Sequence, residues 1–424
     1  MAKEYKDSGI PWIGQIPKNW GTDAIGSLYA LRHEKVSDKD YPPLSVTKNG
    51  IVPQLATAAK TDDGDNRKLV RKGDFAINSR SDRRGSCGVS AYDGSVSLIN
   101  TILTPRGEMN PQFYNWFFHT ETFADEFYRW GHGIVDDLWT TGWSEMKRIL
   151  VIIPPLAEQQ RIAEFLDRKC GEIDEAIALQ EEFIEELKAY KQSVITEAVT
   201  RGLNPNVKFK DSGIDWIGKI PQGWELKKVK YVSTSINKGT GITKDEVFED
   251  GDTPCVRYGE IYSKYNGSFV NCKSYTKKNI LTAYRYFNTG DILFAGTGEL
   301  VEEIGKSIVY LGEKPALAGG DIIILSHNQN PVFLNYALNS FYAQTQKSRG
   351  KAKLKVVHIS SSEIGNIYLM LPPAAEQLQI ADYLDNKCAE IDSLIAIKQQ
   401  KIEELKDYKK SIIYEYVTGK KEVE

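Results

Sequence analysis

The sequence is poor in the patterns that would mark a membrane, secreted or metal-dependent protein. Its five cysteines are odd in number and contain no C-x-x-C pair, which excludes a disulfide framework and a zinc-ligand spacing. No apolar run approaches the ~18 residues of a membrane span, and the opening MAKEYKDSG lacks the apolar stretch of a signal peptide, so a cytoplasmic location is expected. The five histidines, His33, His119, His132, His327 and His358, form no metal spacing, and H-E-x-x-H, G-x-x-x-x-G-K-[ST] and G-x-S-x-G are all missing. Neither sign of charge dominates: the net charge is -3, so any contact with nucleic acid has to come from local basic patches. The remainder is ordinary globular composition, with 41% hydrophobic and 26% charged residues, and 424 residues suggest two or three domains.

What is present is a long internal repeat. YKDSGIPWIGQIPKNW at 5–20 recurs as FKDSGIDWIGKIPQGW at 209–224, with 11 of 16 positions identical at an offset of 204. PPLAEQQRIAEFLDRKCGEI at 154–173 recurs as PPAAEQLQIADYLDNKCAEI at 372–391, with 13 of 20 identical at an offset of 218. The stretches between, 21–153 and 225–371, show almost no similarity and differ in length by 14 residues. Joining the C-terminal tail to MAKEYKDSG would rebuild the connection that runs from AVTRGLNP into the second DSG segment. A circularly arranged duplication with a pseudo-two-fold axis is the simplest geometry, and two independent tandem domains are the alternative.

Each second block opens on Pro-Pro with an acid in the first turn, Glu158 or Glu376, which is a helix start in proline and dipole terms. Apolar residues then follow a 3-4 spacing: Cys170, Ile173, Ile177, Ile184, Leu187, Val194 and Ala198, matched by Cys388, Ile391, Ile395, Ile402, Leu405, Ile412 and Tyr416. Gln180 and Lys191 interrupt the first seam, Lys398 and Lys409 the second. The pattern predicts two long helices that pair as an intramolecular antiparallel coiled coil, roughly 65 Å long at ~1.5 Å per residue. That length suits a spacer. Residues 156–200 carry 11 acids against 5 bases, so their outward face suits protein better than phosphate.

The two divergent inserts read as short strands and turns with a few helices, one near 111–130, so each is an α+β domain with its own core. Segment by segment, 1–153 is the first such domain, 154–200 the first helix, 201–371 the second domain and 372–424 the second helix with its tail. Charge clusters lie inside the inserts. From Arg67 to Arg84 there are seven basic residues against two acids, and Asn78, Arg80, Arg83 and Arg84 are of the types that read base edges. Residues 255–286 hold six bases and one acid among tyrosines, and 347–355 hold five cations in nine positions. The alternation Lys351, Lys353, Lys355 would line one face of a strand, a phosphate-tracking arrangement. Candidate DNA contacts are therefore Asn78, Arg80, Arg83 and Arg84 with Lys48 in the first insert, and Arg257, Tyr258, Lys273, Lys351, Lys353 and Lys355 in the second. A solvated basic face is the plain alternative for any one cluster.

Two fragments imitate a methyltransferase. Phe294-Ala295-Gly296-Thr297-Gly298 resembles a methyl-donor glycine loop, and Asn330-Pro331-Val332-Phe333 resembles N-P-P-F but has Val332 where the second proline belongs. Asn110-Pro111-Gln112-Phe113 repeats the second fragment without the first. Neither is sufficient for a catalytic site, and no catalytic or metal-binding residue is assigned.

The duplicated DSG-I-x-W-I-G-x-I-P-x-x-W segment, the I-x-x-P-P-x-x-E-Q-x-x-I type helix starts and the two divergent inserts closely resemble the specificity subunits of type I restriction-modification enzymes, over the full chain. The resemblance implies two target-recognition domains, each reading one half of a bipartite DNA site, held apart by the helical pair. It implies a non-catalytic subunit that docks two DNA-methyltransferase subunits, together with restriction subunits. S-adenosylmethionine would reside in the methyltransferase, and ATP and Mg in the restriction partner, with no cofactor bound by this chain. Glu158, Gln159, Ile162 and Phe165, with Glu376, Gln377, Ile380 and Tyr383, are the candidates for partner docking; capping and packing of the helices is the alternative role. A self-contained DNA methyltransferase and a coiled-coil scaffold without DNA function are the rival classes.

Overall fold

A computed structural model describes residues 4–55, 64–133, 139–298, 300–351 and 356–423. The chain forms two compact units, one of residues 1–181 with 399–424 and one of residues 182–398. Both long helices form as their seams require, from Leu156 to Arg201 and from Ala374 to Val417. Each unit takes one α+β domain, half of the first helix and half of the second. The units thus cut across the four successive segments that the sequence suggests.

Within each unit the two helix halves run antiparallel. In the first, Phe165 stacks against Tyr416 at 4.3 Å and Lys409 Nζ reaches both carboxylate oxygens of Asp174 at 2.6 Å. In the second, Lys191 Nζ reaches both oxygens of Asp392 at 2.7 Å. Lys191 and Lys409 are equivalent in the repeat, as are Asp174 and Asp392, so the polar interruptions of the seam make the same ion pair twice. A charge pair at a seam position specifies register, because a slip would strand both charges against apolar neighbours. Cys170, Ile173, Ile184, Cys388, Ile391, Ile402 and Ile412 are all buried along these seams. Burial pushes the thiols of Cys170 and Cys388 up, consistent with small apolar packing residues.

The first domain is built on a four-stranded antiparallel sheet in the order Cys87–Val89, Phe75–Asn78, Asn100–Pro105, Tyr29–Leu31. The second has a five-stranded sheet in the order Ser233–Lys238, Ile322–His327, Ile292–Ala295, Ser307–Tyr310, Ser268–Phe269. Despite the near absence of sequence similarity, the two share a plan. Strands Phe75–Asn78 and Ile292–Ala295 each follow a Gly-Asp turn, with Gly73 at φ +90° and Gly290 at φ +87° and with Asp74 and Asp291 buried. Each lies between the strand that follows it and a longer one beyond. Helix pairs then follow, Pro111–Phe118 with Glu121–Arg129 and Pro331–Asn339 with Phe341–Lys347. A frame ladder closes each domain against its helix start, Gly21–Ala24 on Leu150–Ile153 and Glu225–Lys228 on Tyr368–Leu371.

The expected rejoining of the C-terminal tail to the first DSG segment is made by contacts within the first unit. Tyr5 donates its hydroxyl to the Gly419 carbonyl at 3.2 Å, and Lys420 Nζ reaches the Ile13 and Gln15 carbonyls. Gly419, at φ +71°, lies so close to Pro17 and Trp20 that a Cβ there would sit 2.5 Å from the proline ring. Gly202, at φ +77°, holds the matching place beside Trp224 in the second unit.

Candidate nucleic-acid interface and helix frame

The P-P-x-x-E-Q blocks tie each helix to its domain. Trp20 donates its indole N–H to Glu158 at 2.8 Å, and Trp224 donates to Glu376 at 3.1 Å. The buried Gln159 accepts from the backbone N–H of Asn110 at 2.8 Å and donates to the Pro154 carbonyl at 2.8 Å. Gln377 does the same with Asn330 at 3.0 Å and Pro372 at 3.0 Å. A buried carboxamide with donors and acceptors both paired fixes geometry strongly, since losing one partner leaves a buried polar group unsatisfied. Ile162 and Ile380 are likewise buried in the cores of their units. Four of the eight docking candidates, Gln159, Ile162, Gln377 and Ile380, therefore face inward and hold the frame together. The glutamates anchor the tryptophans from half-buried positions, whereas Tyr383 is exposed and Phe165 is half-buried against Tyr416.

The methyltransferase-like fragments have structural explanations. Asn110 and Asn330 are helix N-caps: their side-chain oxygens accept from the Phe113 N–H at 3.1 Å and the Phe333 N–H at 2.9 Å, and the proline follows at the first helical position. Both inserts keep N-P-x-F because that corner also meets the frame glutamine. Gly296 allows close backbone passage, since a Cβ there would lie 2.7 Å from the Asp321 carbonyl oxygen. Among the described residues no group of His, Cys, Asp or Glu gathers as metal ligands, and no helix is long and apolar enough to cross a membrane.

The DNA candidates divide sharply. In the first domain Arg80, Arg83 and Arg84 are exposed around the loop that follows Phe75–Asn78, and Arg84 is paired with Asp125. Asn78 is buried, a correction to its assignment as a base-reading group: its side chain accepts from the Arg80 N–H at 3.1 Å and so shapes the turn that presents Arg80. Lys48 is exposed at the tip of the hairpin formed by Leu44–Thr47 and Gly50–Pro53. Of the other bases in that cluster, Arg67 turns inward to Ser95 Oγ at 2.8 Å and Lys68 to the Asn100 carbonyl at 2.6 Å.

In the second domain Tyr258 and Lys273 are exposed and Arg257 is partly exposed. Lys351 is a second correction. Its ammonium lies against Glu363 at 2.7 Å and the His358 carbonyl, with its side chain only 13% exposed, so its charge braces the domain. Lys353 and Lys355 lie outside the described residues, and with them the expected alternating strand. Lys347, counted in the same cluster, is buried and donates to the Gly305 carbonyl at 2.7 Å; burial lowers its pKa to about 7. Counting charges along the chain finds cations but not their direction.

Two unlike domains on one repeated frame define a protein that presents two different surfaces from equivalent supports. Residues 221–407 match the family model described as type I restriction modification DNA specificity domain. The chain is 28% identical over 65% of its length to the type I restriction enzyme MjaVIII specificity subunit of Methanocaldococcus jannaschii, and 26% identical over 65% to the putative MjaX specificity subunit of the same organism. These matches span 62% and 60% of the relatives' own lengths, less than two thirds. The fold is similar to a chain in a solved type I R-M system, with a TM-score of 0.71 at 15% identity, covering 95% of this chain and 98% of that one. It is also similar to the HsdS subunit from Thermoanaerobacter tengcongensis, with a TM-score of 0.51 at 17% identity and the same coverage. The chain is thus similar to type I restriction-modification specificity subunits, and the family-model match is confined to residues 221–407.

Proposed function

We propose that this chain is the non-catalytic DNA-recognition subunit of a type I restriction-modification complex, reading a bipartite duplex site with its two divergent domains. The observation that carries this reading is the repetition of the Trp-Glu and Gln-Asn anchors beneath domains whose surfaces differ. Equivalent supports suit two copies of one partner, and unlike surfaces suit two unlike half-sites. Two methyltransferase subunits would dock on the repeated frame and supply S-adenosylmethionine, while restriction subunits would bring ATP and Mg. The acidic outer face of the helices favours protein contact there, and the exposed bases of the inserts favour contact with phosphates and base edges.

Co-purification with the methyltransferase, followed by native mass measurement and sequencing of methylated sites, tests the proposal. The expected result is two methyltransferase copies per chain and a split motif with an unread gap. A stable complex with one copy would sink the equivalence of the supports. Binding of S-adenosylmethionine by the chain alone would favour a self-contained methyltransferase, and a lack of salt-dependent duplex binding would favour a scaffold.

A further inference from the structure

In the second unit, strand Thr253–Val256 runs parallel to Ala316–Ala318, and the ends of both lead to one place. There the Gly319 N–H donates to the Val256 carbonyl at 2.8 Å, and Arg257 crosses over Gly319 so closely that a Cβ on that glycine would lie 3.3 Å from the arginine Cα and 3.6 Å from its Cγ. Gly239 in turn lies nearer to the Gly319 and Ala318 carbonyls than any Cβ could. Gly319 thus makes room for the arginine stem.

Glu260, one helical turn on, is buried with its side chain 3% exposed and already has its partners. It accepts from the Arg257 backbone N–H at 2.9 Å, from Lys264 Nζ at 2.7 Å and from Ser274 Oγ. The Arg257 terminal nitrogen stands 3.7 Å from that carboxylate, beyond a hydrogen bond, and Arg257 Nε is buried without a hydrogen-bond partner among the described residues. An arginine serving only to neutralise Glu260 would close on it. This one is oriented by the carboxylate while its terminal donors stay unconsumed, with 26% of its side chain exposed.

We propose that Arg257 is a specificity-determining residue of the second domain, presenting its guanidinium fork to a paired acceptor edge of the guanine type, with Glu260 as its positioning residue. The inference rests on the reading of this chain as a DNA-recognition subunit. A guanine offers two acceptors spaced for a planar fork in the major groove. A lysine ammonium is a point charge and does not reproduce that fork.

The test uses the chain assembled with its methyltransferase subunits and a duplex library in which each position of the methylated motif is varied in turn. Arg257→Ala and Arg257→Lys should each lower discrimination at one guanine of one half-site by about 10- to 100-fold. The other half-site is the internal control and should stay unchanged. Glu260→Gln should weaken the same position and no other. If Arg257→Ala fails to fold by circular dichroism, Arg257→Lys decides alone, because it keeps the stem over Gly319. Full discrimination in Arg257→Lys, equal weakening of every duplex, or no change at all would each overturn the proposal; the first two would mean a phosphate contact. A wild-type complex that shows no split motif would instead overturn the DNA-recognition reading beneath it.

Discussion

The loops after Phe75–Asn78 and after Ile292–Ala295 leave equivalent strands, rise through a 3-10 turn and return at equivalent strands, yet carry opposite charge. The first reads SRSDRRGS over 79–86, and the second reads GTGELVEEIGK over 296–306. Beneath them the Gly-Asp turns, the central strands and the helix pairs correspond. The frame and the core thus hold the backbone in one plan, while exposed loop positions such as Arg80, Arg83, Arg84 and Glu303 are free to diverge in charge. Lys347 extends the contrast into the core: counted from the N-caps Ser340 and Thr120, it stands at the same helix position as the buried Phe127.

The largest effect should come from the anchors. Trp20→Ala and Trp224→Ala each remove a buried indole and its N–H bond to Glu158 or Glu376, which should cost about 3–5 kcal/mol in urea unfolding. Losses that differ by more than about 2 kcal/mol would break the equivalence of the two frames.

Lys347 should give the second unit a pH dependence without counterpart at Phe127. Its folded pKa of about 7 lies below the ordinary 10.5, so between these values the unfolded chain binds the extra proton and stability rises with pH. Thermal unfolding should show a gain of about 2 kcal/mol from pH 7 to pH 9 from this group. Below pH 7 its contribution is flat, and Lys347→Met should remove the slope.

The two loops give a sharper contrast at lower energy. Arg83→Ala should weaken duplex binding by about 1 kcal/mol and reduce the salt dependence by about one ion. If the loops lie at equivalent stations on the duplex, Glu303→Ala should strengthen binding by a similar amount, read by fluorescence anisotropy across a salt series. An unchanged affinity in Glu303→Ala would show that the second domain meets DNA through other elements.

The smallest effect belongs to the seam. Asp174→Asn and Asp392→Asn each disarm a partly exposed ion pair and should cost about 0.5 kcal/mol by chemical denaturation, more alike than the loops. A loss several times larger in one would mean that its pair sits in a drier seam than its equivalent.

The repeat blocks and both helices were legible because their residues serve the backbone directly: Pro-Pro starts, apolar spacing and the seam lysines leave a pattern in sequence. The shared plan of the inserts was not. Its signal is two Gly-Asp turns and two N-P-x-F corners scattered among strands whose buried positions accept many apolar side chains, so identity fades while topology stays. Site residues were legible only by type. Arg80 and Arg83 were found as cations and are exposed, but nothing in RGKAKLK distinguishes Lys351, held by Glu363, from a lysine that faces solvent. Gln159 and Gln377, candidates for partner docking by sequence, are interior anchors, because their partners include backbone groups more than 40 residues away.

The closure of the first unit sets an order of folding. The second unit is one uninterrupted stretch, 182–398, and can gather its whole core as soon as that stretch leaves the ribosome. The first unit needs Ile412, Ile413 and Val417 to complete its core, so its N-terminal domain must wait for these residues with part of its apolar surface uncovered. In refolding from denaturant, therefore, the domain made first should be the one finished last.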